Sequence, residues 1–81
     1  MRRITLYTRS GCHLCEDALH ALKKVGEQIP FDLSERDIDA EEALQRRYFD
    51  RVPVVELDGQ ELFEAFVDED LLRDALSGSG S

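Results

Sequence analysis

The sequence has no tryptophan, one methionine, two prolines and only two cysteines in 81 residues. Aromatic residues make up 7% of it. Two cysteines are too few for a small scaffold stapled by disulfides. No apolar run approaches the roughly 18–20 residues that would span a bilayer, and a charged fraction of 35% excludes a membrane-embedded chain. Cations are also scarce: ten Lys/Arg stand against eighteen Asp/Glu, a net charge of −8. That balance argues against nucleic-acid binding and against adhesion to anionic lipid. Behind Arg2 and Arg3 the apolar stretch is broken at once by Thr5 and Thr8, which is not the pattern of a signal peptide. The expectation is a cytoplasmic protein in a reducing compartment.

What is present fits one small domain, residues 1–76, followed by a Gly/Ser tail over 77–81 read as disordered. Hydrophobic residues amount to 42%, enough for one modest core. Charge is unevenly spread. Residues 1–30 carry five Lys/Arg against three Asp/Glu, whereas 31–81 carry five against fifteen. This describes either a solvated acidic surface or an electropositive corner around the cysteines, both of which lie in the first part.

Ile4 to Thr8 alternates apolar and polar side chains, the period of a strand. From Cys12 the period becomes helical, with Leu14, Ala18, Ala21, Leu22 and Val25 on one face, and Gly26 placed to end the helix. Phe31 to Ile38 reads as a second strand, bulged near Ser34–Arg36. Asp39-x-x-Glu42 suggests a capping box for a helix to Phe49. Val52–Leu57 and Gln60–Phe63 flank Asp58-Gly59, a preferred pair for a two-residue hairpin turn. Asp68 can cap a last helix carrying Leu71, Leu72, Ala75 and Leu76. The order β-α-β-α-β-β-α predicts an α/β three-layer sandwich on a mixed four-stranded sheet.

Cys12-His13-Leu14-Cys15 sits where the first strand gives way to the first helix, inside a βαβ unit. In a cytosolic chain this context points to a redox motif. A helix N-terminus leaves N–H groups without partners and carries a partial positive charge. Such a setting favours the thiolate, which is the nucleophile. Cys12, nearer the loop, is expected to attack a substrate disulfide and Cys15 to resolve the mixed disulfide. Two alternatives stand beside this: a pair of small buried hydrophobes, and a metal site. Zinc wants four ligands, and His13 and His20 are the only histidines. A closed metal site within one chain is not expected, whereas a metal or iron–sulfur centre shared by two chains is the open alternative for a carrier module. A third reading is a scaffold that only docks a partner.

Tyr7–Cys15, with Val52-Pro53-Val54 and the Asp58-Gly59 hairpin some forty residues on, resembles the glutaredoxin branch of the thioredoxin-fold family. More narrowly, it is similar to the small bacterial glutaredoxin-like proteins. The resemblance implies a dithiol oxidoreductase acting on protein or small-molecule disulfides, with Cys12 as nucleophile and Cys15 as resolving cysteine. It implies that Pro53 is cis and faces the cysteines, and that Val52 offers its backbone to bound substrate. Arg9 stands where glutaredoxins often carry a lysine. Arg51 stands in place of the usual threonine and would restore some anion affinity. His13 either supports the thiolate by hydrogen bond or charge or is a solvated polar residue. No tightly bound cofactor is implied. The electron donor would be a thioredoxin-type reductase or glutathione, with no nucleic-acid or membrane partner, and the chain a monomer. The family's Gly-Gly pair after the hairpin is replaced by Phe63-Glu64-Ala65, whose ring and carboxylate oppose glutathione.

Overall fold

Period-two alternation along the strands sorts the apolar side chains onto two faces of one sheet. In the computed structural model, which describes residues 1–77, β1 spans Arg3–Thr8, β2 Asp32–Asp37, β3 Val54–Leu57 and β4 Gln60–Glu64. The sheet order is β2-β1-β3-β4. β1 and β2 are parallel, joined by the long helix α1 (His13–Gln28), and the β1/β3 and β3/β4 pairs are antiparallel. Ile4, Leu6, Val55 and Leu57 point to one face, where they bury against Ala18, Leu22 and Val25 of α1 and against Leu72 and Leu76 of α3 (Glu69–Ser77). Tyr7 and Val54 point to the other, against Ile38 and Tyr48, the latter on α2 (Glu42–Tyr48). Each fully buried Leu or Ile contributes about 1.5–3 kcal/mol, so the α1/α3 face holds most of the apolar stabilisation. The expected layering and element order are those observed.

Local boundaries depart from the sequence reading in instructive ways. Gly26 does not end α1; the helix runs through it to Gln28. A Cβ at Gly26 would lie 3.3 Å from the Phe31 ring, so this glycine admits a close approach and is not a helix stop. β2 is unbroken across Ser34–Arg36, in continuous register with β1 from Asp32 to Asp37. The irregularity lies instead in the hairpin, where Leu62 is the extra residue between Val55↔Phe63 and Glu56↔Glu61. Asp39 does not cap α2. Asp37 caps a short 3-10 turn (Ile38–Ala40) by accepting from the Asp39 N–H at 2.9 Å, and α2 starts after Glu41 without a side-chain cap.

The hairpin turn is as expected, with Asp58 and Gly59 both at positive φ (51° and 90°). So is the Asp68 cap, whose carboxylate accepts from the N–H groups of Asp70 and Leu71 at 3.0 and 3.1 Å. α3 extends to Ser77, one residue past the expected domain end, and the Ser77 hydroxyl donates to the Arg73 carbonyl. The tail expected over the last residues otherwise lies outside those described. Leu14 and Leu71, placed by periodicity on buried faces, are exposed. Both fall in the first turn of their helices, where the buried positions are instead Cys15 and Leu72.

Candidate functional site

β1 ends at Thr8, and Gly11 turns the chain into α1 with φ 75°, a left-handed conformation that a side chain would strain. This places Cys12 at the N-cap position in extended conformation. A capping residue offers its side-chain acceptor to the N–H groups of the first turn. Here the acceptor is sulfur: the Cys15 N–H donates to Cys12 Sγ at 3.1 Å. Cys12 and Cys15 are joined by a disulfide across a Cα separation of 5.2 Å. Cys15 is 3% exposed among the core residues of α1, while Cys12 is half-buried and faces outward. The arrangement is asymmetric, one sulfur reachable and one behind it.

Strand register brings the second part of the motif to the same end of the sheet. Val54 pairs with Tyr7 of β1 on one side and with Glu64 of β4 on the other. The cis-Pro53 that precedes Val54 therefore falls opposite Thr8, the last residue of β1, at the end of the sheet from which the cysteine loop leaves, and is buried. Its carbonyl accepts from the Ala65 N–H at 2.8 Å. Ala65 has φ 76°, so the residue after β4 is held in a left-handed conformation at the site's edge. The Val52 N–H donates to the Tyr48 carbonyl at 3.2 Å, tying the residue before Pro53 to the end of α2.

The supporting cations are occupied. Arg9 donates to the Asp39 carboxylate and to the Phe49 carbonyl, both at 3.2 Å, so it clamps the cysteine loop to α2. Arg51 does not stand as an open anion site. Its guanidinium donates to Glu61 at 2.5 Å and to Glu64 at 3.0 Å, and lies over the Tyr48 ring. Hydrogen bonds to Glu64 and then Glu61 raise its pKa further, fixing the charge where it is. The electropositive corner suggested by chain halves is absent for the same reason. Arg2 pairs with Asp58 at the opposite end of β3, and Lys23 and Lys24 sit about 15 Å down α1 from the cysteines.

His13 is the first residue of α1 and is exposed; His20 is exposed as well. Tyr7 belongs to the core on the α2 face, stacked on Tyr48 with ring centroids 4.5 Å apart. Among the described residues, no three His, Cys, Asp or Glu side chains are grouped to hold a metal. No described helix is long and apolar enough to cross a membrane. Sequence reasoning missed Asp39, Glu61 and Glu64 as partners of the two arginines, because those pairings span 10 to 30 residues of chain.

Comparison with known proteins agrees with this geometry. The glutaredoxin-like domain (DUF836) matches residues 3–77. A glutaredoxin-like protein of Dictyostelium discoideum is 38% identical over 77 residues, covering 85% of this chain and 69% of its own. A solution structure of a Nitrosomonas europaea protein superposes with a TM-score of 0.82 at 38% identity, covering 94% of this chain and 92% of that one. A thioredoxin variant from Halobacterium salinarum superposes with a TM-score of 0.70 at 25% identity, over 99% of this chain and 75% of that one.

Proposed function

The chain belongs to the glutaredoxin-like domain family, and from that premise we propose that it is a thiol–disulfide oxidoreductase working through the Cys12–Cys15 pair. The reading rests above all on one observation: the Cys12 sulfur occupies the cap-acceptor position of α1, 3.1 Å from the Cys15 N–H. In the reduced protein that N–H and the helix dipole stabilise a thiolate on Cys12 in preference to a thiol. The Cys12 thiolate attacks one sulfur of the substrate disulfide. A mixed disulfide forms, the substrate S–S bond breaks, and the first departing thiolate takes up a proton. Cys15, deprotonated, then attacks Cys12 Sγ and displaces the second substrate thiolate, which is protonated in turn. One electron pair and two protons have passed to the substrate, and the chain holds its disulfide. A dithiol reductase or glutathione would return it to the reduced form, and a reducing compartment such as the cytoplasm suits this direction.

On this reading Pro53, buried opposite the end of β1, faces the sulfurs, while Arg9 positions the loop through Asp39. His13, exposed beside Cys12, is available to hydrogen-bond the thiolate. Val52 and Ala65 bracket Pro53 and form the wall along which a substrate backbone would lie. The test is equilibration in graded mixtures of reduced and oxidised glutathione, acid quench and intact mass. A reversible loss of two hydrogens that disappears in Cys12→Ser is the expected result. Cys15→Ser should accumulate mixed disulfides. A pair that stays unchanged across the whole series would sink the proposal.

A further inference from the structure

Three large apolar side chains that the core does not use lie at the end of the sheet that carries the dithiol. Leu14, between the cysteines, is 51% exposed; Phe49, after α2, is 58% exposed; Phe66, after β4, is 67% exposed. They come from separate elements but converge on one end of the sheet. The Phe49 carbonyl accepts from Arg9, three residues before Cys12, and Phe66 follows Ala65, whose N–H is bonded to the Pro53 carbonyl. Singly exposed apolar residues need no explanation, but a group of them at the end that carries a reactive sulfur is a contact surface.

Charge complementarity selects the occupant. Of the cations at this end, Arg9 is matched by Asp39, Arg46 by Glu42, and Arg51 by both Glu61 and Glu64, which leaves Arg47, lying over the Tyr48 ring, as the one without an ion pair among the described residues. Glu16 and Asp17 directly follow Cys15, Asp50 directly follows Phe49, and Asp68 lies two residues after Phe66. None of these four makes an ion pair with Lys, Arg or His among the described residues. An approaching substrate therefore meets apolar surface inside a net negative rim. That potential attracts cations and repels an anionic small molecule.

We infer that this surface receives a polypeptide disulfide flanked by basic and apolar residues, and that it discriminates against anionic small disulfides. The inference rests on the oxidoreductase reading and names its substrate class. The electron pair moves as described above, from the Cys12 and Cys15 thiols to the substrate disulfide, leaving two substrate thiols and the Cys12–Cys15 disulfide.

Pre-reduced, desalted protein would be mixed in single turnover with two symmetric peptide disulfides of equal length. Both carry leucine beside cysteine, one with flanking lysines and the other with flanking glutamates. Rates are normalised to those of a small uncharged dithiol with the same peptides, which removes differences in intrinsic disulfide reactivity. At low ionic strength the lysine peptide should react about tenfold faster or more than the glutamate peptide. Glutathione disulfide should behave like the glutamate peptide. The ratio should collapse near 1 M salt, where the Debye length falls to about 3 Å. Glu16→Gln with Asp17→Asn should reduce the ratio, and serine in place of the peptide leucine should slow the reaction several-fold. Equal normalised rates, a preference for glutamate, or a ratio unmoved by the double variant would overturn the inference while leaving the oxidoreductase reading intact. Failure of all the disulfides to react would remove that reading itself.

Discussion

The Cys15 N–H points at Cys12 Sγ across 3.1 Å, so the first turn of α1 is capped by the sulfur that also faces solvent. In the proposed mechanism capping and reactivity are thereby one interaction. An oxygen cap of this kind contributes about 1 kcal/mol to a helix. A thiolate in the same place gains the charge-assisted form of the bond and the favourable end of the helix dipole.

The two cysteines should therefore differ sharply once reduced. Iodoacetamide should alkylate Cys12 first, with a pH midpoint below that of an unperturbed thiol, and Cys15 much more slowly because it is 3% exposed. Peptide mapping after brief labelling reads both. Equal labelling of the two sulfurs would contradict the asymmetry.

The alkaline limb of stability should be set by Tyr7 and Tyr48. Both hydroxyls donate to Glu56, at 3.1 and 3.4 Å. Burial pushes both phenols up, with further contributions from the Glu56 hydrogen bond at Tyr7 and from the Glu56 charge at Tyr48. A folded-state pKa raised above the unfolded value of about 10 gives stability that is complete below that value and lost as pH rises through the folded one. These are the only tyrosines, and there is no tryptophan, so ultraviolet phenolate absorbance reports them directly. It should lag behind free tyrosine, and Glu56→Gln should bring it back towards the ordinary range. Coincidence of the wild-type curve with free tyrosine would refute this.

Ala65 holds a left-handed φ of 76° that costs an L-residue about 1–2 kcal/mol. Glycine removes that cost but gains freedom when unfolded. Ala65→Gly should stabilise the fold by about 0.5–1 kcal/mol, read as a raised midpoint in urea. A lowered midpoint would show that the methyl group makes contacts worth more than the strain.

Gly26 offers a coupled test. Alanine in a helix interior is worth about 1 kcal/mol over glycine. Here the added Cβ meets the Phe31 ring at 3.3 Å, so Gly26→Ala should gain less than half of that. Gly26→Leu should cost about 1–3 kcal/mol by overpacking. In a Phe31→Leu background, Gly26→Ala should recover most of the helix gain, which a double-mutant cycle on urea midpoints would measure.

Local chemistry made much of this protein legible in the sequence. Alternation of apolar and polar residues set β1, the Asp58-Gly59 pair set the hairpin turn, and the Asp68 carboxylate set the start of α3. The place of Cys12-x-x-Cys15 at a strand-to-helix junction was legible too, because a helix start is defined by residues within one turn of it. Each of these depends on neighbours in the chain, and the sequence contains neighbours.

Tertiary structure decided what depends on approach between distant segments. Gly26 reads as a helix stop until the Phe31 ring is seen to need its missing side chain. Arg51 reads as an anion site until β4 brings Glu61 and Glu64 against it. Leu14, Phe49 and Phe66 have the composition of core residues, and only their places at the ends of α1, α2 and β4 leave them outside it. Hydrophobicity and charge are properties of a residue, but burial and pairing are properties of the place the fold gives it.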